Sequence, residues 1–517
     1  MKKIHIWHPF LFAIFPVVFL YARNVKEVPM DQVFLPLVVV TGATLVLNWL
    51  GKIFVKSTAK RALVLSLFLL LFFSYGSVLD MVRGRNLDNW WVSGYVVFPV
   101  MSGLYLLACW WLWRTRSKLS QLTRFMNLMG MTLVLISLLQ IGWFWWRFIV
   151  KSPETLKKAQ STSIAPSSQV SPDIYYLIFD RYGRDDILRE VYDFDNQEFT
   201  NWLEQQGFYI ARKSLANYLK TGHSLASSLN MKYLNFLEGQ FGRESQFFLP
   251  LYDLLQNHQV GQFLKARGYT YVHLGSFWAH TAHNNFADIN YNKYPLPEFT
   301  ILLYKTTVLY PLASRLNIFD DHKLEWERVQ FSLQKLEDLA SIPGPKFVFA
   351  HILVPHDPFV FAPDGRYQTP AEISSKSYRD GYVGQIQFIN SQIKSVVNTL
   401  LNKSKTAPII VIQSDEGIFP KRYLERQLAG SDDFSWETAN REELIQKMAI
   451  LNAYYVPYLD IKDKLYPTIT PVNSFRLILS ELFAADLPLL PDKQYIFRDD
   501  LHPYTFSEVT NLVLQSN

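Results

Sequence analysis

The sequence predicts a multi-domain protein, an α-helical transmembrane bundle of five spans followed by an α/β domain with a mostly parallel central sheet. Three observations predict it. Apolar residues make up 49% of the 517 positions, and the excess is concentrated in the first 150. A polar tract follows at 151–172. From 173 to 517, short apolar runs alternate with longer stretches of helical period.

The spans come first. Five apolar segments, Ile4–Tyr21, Phe34–Val55, Ala62–Val82, Trp91–Trp113 and Phe125–Val150, are each near or above the roughly 20 residues that carry a helix across a hydrocarbon core. Lys2 and Lys3 before the first also fit a signal peptide, but no small-residue cleavage site follows Tyr21 and four further spans do. Lys52, Lys56, Lys60 and Arg61 surround the second loop, and Arg114, Arg116, Lys118 and Arg124 the fourth, with no acid in either; both are expected in the cytoplasm. The other two loops balance Arg and Lys against Glu and Asp. The expectation is therefore a multi-pass protein of the inner or plasma membrane, its amino terminus cytoplasmic and its carboxy-terminal domain periplasmic or extracellular. Trp90, Trp91, Trp110, Trp111, Trp113, Trp143, Trp145 and Trp146 cluster at segment ends, as an interfacial belt does.

Composition excludes several function classes. The single cysteine, Cys109, lies in the fourth span, so the outer domain has neither disulfides nor thiol chemistry. No basic stripe points to nucleic acid. A transporter is disfavoured because the spans carry almost no interior ionisable residues.

Next come the tether and the sheet. The tract "KSPETLKKAQSTSIAPSSQVSP" has no apolar period and reads as a linker between membrane and domain. Strands are expected at Ile174–Phe179, Tyr269–Leu274, Lys346–Leu353, Pro408–Gln413 and Ala453–Pro457, each apolar enough to be buried on both faces. Helices are expected at Trp326–Ala340, Tyr378–Leu401 and Asn473–Phe483.

In open α/β sheets ligands bind beyond the carboxyl ends of the strands. Asp180 follows the first run, Ser414, Asp415, Glu416 and Gly417 follow "PIIVIQ", and "KFVFA" leads into His351 and His356. Taken singly, each is a turn residue, a helix cap or a structural histidine. Together they bring carboxylates and imidazoles to one sheet edge, a set that can hold a divalent metal. In "NYLKTGHSLASSLNMKYL", Thr221 stands where a helix begins: an N-cap by propensity, or a hydroxyl nucleophile at the positive end of the helix. Arg181, Arg184 and Lys220 flank these positions, as phosphate-binding groups or as solvated surface. His280 and His283 in "HTAH" have ligand-like spacing only on a helix.

Four of these stretches carry a resemblance. "DIYYLIFDRYG", "TGHSLASSL", "FAHILVPHDPF" and "VIQSDEG" resemble the motifs of the alkaline phosphatase superfamily in its sulfatase-like branch, and the layout is similar to lipoteichoic acid synthases and phosphoethanolamine transferases. The resemblance implies Asp180, Thr221, Asp415 and Glu416 as metal ligands, Thr221 also as nucleophile, His356 as catalytic, and His351 at the substrate; Arg184, from its flanking position, is expected at the substrate too. It implies a divalent metal ion (manganese, magnesium, zinc or calcium), and a phosphate ester, phospholipid head group or envelope glycan as substrate beside the lipid bilayer. Glu416 stands where that family has histidine, which adds about one negative charge and favours harder ions. Two functions follow: a hydrolase or transferase acting through a threonine nucleophile, or a catalytically degenerate relative that binds envelope polysaccharide. The Cys/Ser-x-Pro-x-Arg motif of true sulfatases is absent.

Overall fold

The computed structural model describes residues 5–83, 90–116, 119–151, 171–316, 318–431, 434–458 and 463–514. Most of the expected tether, at 152–170, lies outside them. The chain divides into two compact units, Met1–Ser152 with Leu296–Asp320, and Pro153–Pro295 with Asp321–Asn517.

Within residues 5–151 of the first unit the described residues form five long helices, α1 (His8–Asn24), α2 (Phe34–Phe54), α3 (Thr58–Arg83), α4 (Trp90–Arg114) and α5 (Ser120–Lys151). Helix α1 opens with Pro9 in its first turn, where a missing N–H costs nothing. The Asn127 side-chain oxygen of α5 accepts from the Trp7 and His8 amides at 3.0 and 2.9 Å, which satisfies donors that a helix start leaves free. Phe12, Ala13, Val17, Val18 and Tyr21 of α1 are buried, whereas α2, α4 and α5 expose Val38, Trp49, Leu104, Leu106, Leu128 and Leu139. A bundle that is apolar on its outside is solvated by lipid. Among the described residues, four helices are long and apolar enough to cross a membrane, at Met30–Phe54, Thr58–Val82, Val96–Arg114 and Ser120–Arg147. The fifth expected span, α1, has 17 residues, a length of about 25 Å. It is the most enclosed of the five rather than a lipid-facing one.

Residues 296–320 depart from the sequence reading, which placed all of 173–517 in one domain. Phe299 and Leu303 are buried in the same cluster as Phe12, Val17, Tyr21 and Leu69, so this segment packs in the membrane unit.

The second unit is built on a seven-stranded sheet of order β2-β7-β6-β1-β5-β3-β4. The strands are β1 (Ile174–Phe179), β2 (Tyr209–Ile210), β3 (Thr270–Leu274), β4 (Ile289–Tyr291), β5 (Lys346–Ile352), β6 (Ile409–Gln413) and β7 (Asn452–Tyr455). β6, β1, β5, β3 and β4 run parallel; β7 pairs antiparallel with β6 and with β2. β1 shows why a continuous apolar run was needed. Tyr175, Leu177 and Phe179 enter the core on one face, and Ile174, Tyr176 and Ile178 the core on the other. The five expected strands are present within a residue or two. β2 and β4, with two and three residues, are too short to show a period.

A candidate metal centre at the carboxyl edge of the sheet

β1 lies between β6 and β5, all parallel, so the residues that follow them share one edge. Their turns are tied together. Tyr182 N donates to Ser414 Oγ at 2.8 Å, the Ser414 hydroxyl donates to Glu416 O at 2.7 Å, and Asp180 N donates to Ile352 O at 3.0 Å. Arg181 adopts φ +60°, a conformation uncommon outside glycine, and Tyr382 holds it by donating to Arg181 O at 2.6 Å. Gly417 is required on the other side, where its N–H donates to Lys447 O and a Cβ would meet Gln446 O at 2.4 Å.

Asp180, His351 and Asp415 each direct a ligand atom to a common point, all within 4.8 Å of one another, and all three are buried. Asp180 Oδ1, Asp415 Oδ2 and His351 Nε2 have no hydrogen-bond partner among the described residues. Buried acceptors that converge without donors are costly, and a cation removes the cost. His351 Nδ1 is engaged by the Thr281 hydroxyl at 2.8 Å, which leaves Nε2 facing Asp180 Oδ2 at 3.6 Å. Two carboxylates and one imidazole fit a divalent ion. Burial, with Asp180 and Glu416 nearby, pushes the Asp415 carboxyl well above its usual range. Burial acts on Asp180 in the same sense, but His356, His351 and Arg181 outweigh it and hold Asp180 well below.

Thr221 is the first residue of the helix Thr221–Asn230, one position inside its N-cap Lys220. Its hydroxyl lies close enough to Asp415 to act on that carboxyl. His356 lies close enough to Asp180 to hold its carboxyl down, while its own pKa is lowered by burial and by Arg181.

Other expected residues sit differently. Glu416 is not in the converging trio. Its Oε1 lies 2.6 Å from Lys447 Nζ and 3.0 Å from Arg181 Nε, and both Glu416 and Lys447 are buried. The surplus negative charge expected from Glu416 is thus offset by two cations. Arg181 also pairs with Asp357 at 2.7 Å and lies over the Phe419 ring. Burial lowers the Lys447 ammonium to about 8, against the pull of Glu416. Arg184 turns away from this cluster, bridging to both oxygens of Asp186 and to Ser214 O. Lys220 is bound to Tyr423 OH at 2.6 Å and Asp500 at 3.0 Å. In "HTAH", a single helical turn, His280 stacks on Tyr252 and the contact with the centre comes from Thr281. Sequence reasoning missed Thr281 and Lys447. Thr281 lay inside a motif singled out for its histidines. Lys447, in the helix Arg441–Met448, reads as an ordinary surface lysine, and nothing local marks it.

No family model matches the sequence, and no curated protein matches it. Solved structures similar to it include the C-terminal periplasmic domain of EptC from Escherichia coli in complex with Zn, at 10% identity and TM-score 0.42, covering 68% of this chain and 96% of that one. The integral membrane lipooligosaccharide phosphoethanolamine transferase A from Neisseria meningitidis is similar at 11% identity and TM-score 0.41, covering 92% of this chain and 95% of that one. A phosphonate monoester hydrolase of Agrobacterium radiobacter is similar at 11% identity and TM-score 0.40, covering 63% and 80%. At such identities a role does not transfer by position, and the site is read from its own residues.

Proposed function

We propose that this is a membrane-anchored, metal-dependent hydrolase or transferase acting on a phosphate ester or phospholipid head group through Thr221, in the modification of envelope lipid or glycan. The observation that carries it is the convergence of unpaired Asp180, Asp415 and His351 atoms, with the helix-start hydroxyl of Thr221 close enough to act on Asp415. A divalent ion held by Asp180, Asp415 and His351 would supply Lewis acidity to phosphoryl oxygens. With an imidazole among the ligands, zinc or manganese suits the set better than magnesium or calcium. Thr221 Oγ1 attacks phosphorus, its proton passing toward the Asp415 carboxylate, and the bond to the leaving alkoxide breaks. His356 gives that alkoxide a proton. The resulting phospho-threonine passes its group to water or to a glycan hydroxyl. The amide end of the helix Thr221–Asn230 adds favourable potential for the anion. The amino terminus is assigned to the cytoplasm, and the α/β unit to the periplasm or cell exterior.

A second reading is favoured by one contact set, the engagement of Glu416 by Lys447 and Arg181 where the resembling family has a histidine. Under it the chain is a non-catalytic binding or assembly module for envelope polysaccharide. Purified full-length protein separates the two. The enzyme reading expects bound divalent metal and, by intact mass after incubation with membrane phospholipid, a phosphate-containing adduct lost in Thr221→Ala. Neither metal under any supplementation nor adduct would leave the binding-module reading standing.

A further inference from the structure

Residues 296–320 interrupt the α/β unit in sequence and return to the membrane unit, and how they do so identifies their surroundings. The segment forms two short helices, Glu298–Lys305 and Leu309–Arg315. Phe299, Ile301 and Leu303 are buried, Phe299 and Leu303 in the cluster with α1 and Phe299 standing edge-on to Tyr21. Between the helices the chain is wedged against α3. Gly76 N donates to Thr306 O at 2.9 Å, and Phe72 O accepts from Val308 N at 3.1 Å. Gly76 N and Phe72 O are the two groups that a regular helix bonds to each other, so the segment engages the backbone ladder of α3 itself. The approach requires glycine, because a Cβ on residue 76 would meet Lys305 O at 2.5 Å and Thr306 Cα at 2.8 Å. Val308 then packs against the Tyr75, Leu79 and Val97 cluster.

Other apolar residues of the segment are uncovered, and no residue of Leu309–Arg315 is buried. Leu302, Leu309 and Leu312 are exposed, as are Leu316 (61%) and Ile318 (73%). The polar groups between them are satisfied within the segment, the Thr306 and Thr307 hydroxyls donating to Leu303 O and Tyr304 O at 2.7 Å. Tyr304, Tyr310 and Phe319 form a mutual ring cluster, and tyrosine favours the level of lipid head groups. This surface is continuous with α3, whose 58–82 stretch is long and apolar enough to cross a membrane, and the wedge sits in the later half of that helix. By the distribution of Lys and Arg among the loops, that half is the outer one.

We propose that residues 296–320 form an interfacial hairpin lying in the outer leaflet of the bilayer, keyed to α3 at Gly76, with Leu312, Leu316 and Ile318 among the acyl chains. It secures the α/β unit to the membrane at a second region of the chain, besides residue 152, whatever chemistry Asp180 performs. The single native cysteine makes the test direct. In a Cys109→Ser background, full-length protein with an environment-sensitive fluorophore on Leu312→Cys or Ile318→Cys is reconstituted into phosphatidylethanolamine–phosphatidylglycerol vesicles containing spin-labelled lipid. Leu139→Cys on α5 marks a lipid-facing site and Leu428→Cys an exposed apolar site of the α/β unit. Quenching of the Leu312 and Ile318 labels about two-fold or more, close to the Leu139 label and unlike Leu428, is expected. Gly76→Leu should abolish quenching at Ile318 and leave it at Leu139. Hairpin labels that behave like Leu428 would overturn the proposal, as would crosslinking of the two positions between copies without quenching, which would make this an interface with a second chain. Quenching at Ile318 that survives Gly76→Leu would overturn the keying to α3.

Discussion

Thr281 and Lys447 show how single side chains shape the candidate centre from outside it. Thr281 Oγ1 is bonded to His351 Nδ1 and also to the Ser276 hydroxyl, each at 2.8 Å, so one threonine sets which ring nitrogen faces the carboxylates. Removing such a partner costs metal affinity about 10–100-fold. Thr281→Val should therefore weaken binding of zinc or manganese to the full-length protein by that order, and Thr281→Ser should restore it; equal affinities for all three would show that the contact does not position His351. Lys447 and Glu416 are both fully enclosed. Glu416→Leu strands a buried ammonium and is expected to cost about 3–5 kcal/mol, whereas Glu416→Leu with Lys447→Met should recover most of it. Amide-exchange protection of β6 measures both. At this scale the sequence was legible for the positions of Asp180, Asp415, Thr221 and His356, because each follows a strand or starts a helix. Glu416 was placed at the right edge, but its partner was hidden, since an ion pair between residues 416 and 447 leaves no local pattern.

Elements bring these side chains together through backbone contacts between turns. The turn after β6 is tight, and Gly417 allows its approach to the residues 446–449 backbone. Gly417→Ala is expected to cost about 1–3 kcal/mol as that backbone shifts. It should also reduce metal binding, because Asp415 lies two positions away; a thermal-shift series with a metal titration reads both effects. Strands buried on both faces announce themselves as unbroken apolar runs, which is why β1, β3, β5, β6 and β7 could be read in advance. The antiparallel direction of β7 could not, because a short apolar run looks the same in either direction. The helices Asp321–Leu339, Tyr378–Lys403 and Pro471–Phe483 were likewise foreshadowed by their period.

Across the whole molecule, acid is expected to weaken the α/β unit before it acts on carboxylates in general. Burial lowers His258 to about 3 and His273 to about 4. In the unfolded chain both titrate near about 6.5. The folded state thus refuses protons that the unfolded state accepts, so stability is full above about pH 6.5 and declines as pH falls toward 4, by up to about 3 kcal/mol for His273 alone. Amide exchange of β3 at neutral pH and at about pH 5 should show protection falling on acidification; unchanged protection would contradict it. The division of labour between sequence and tertiary structure follows from range. By itself the sequence determined the membrane helices, the alternation of strand and helix and the edge where the chemistry-bearing residues gather, since apolar length and period are properties of neighbouring positions. Only the tertiary structure decided which atoms converge. It placed His351 with Asp180 and Asp415, diverted Glu416 to Lys447 and Arg181, and carried residues 296–320 into the membrane unit. Each of those outcomes depends on contacts between residues far apart in the chain, for which local composition holds no signal.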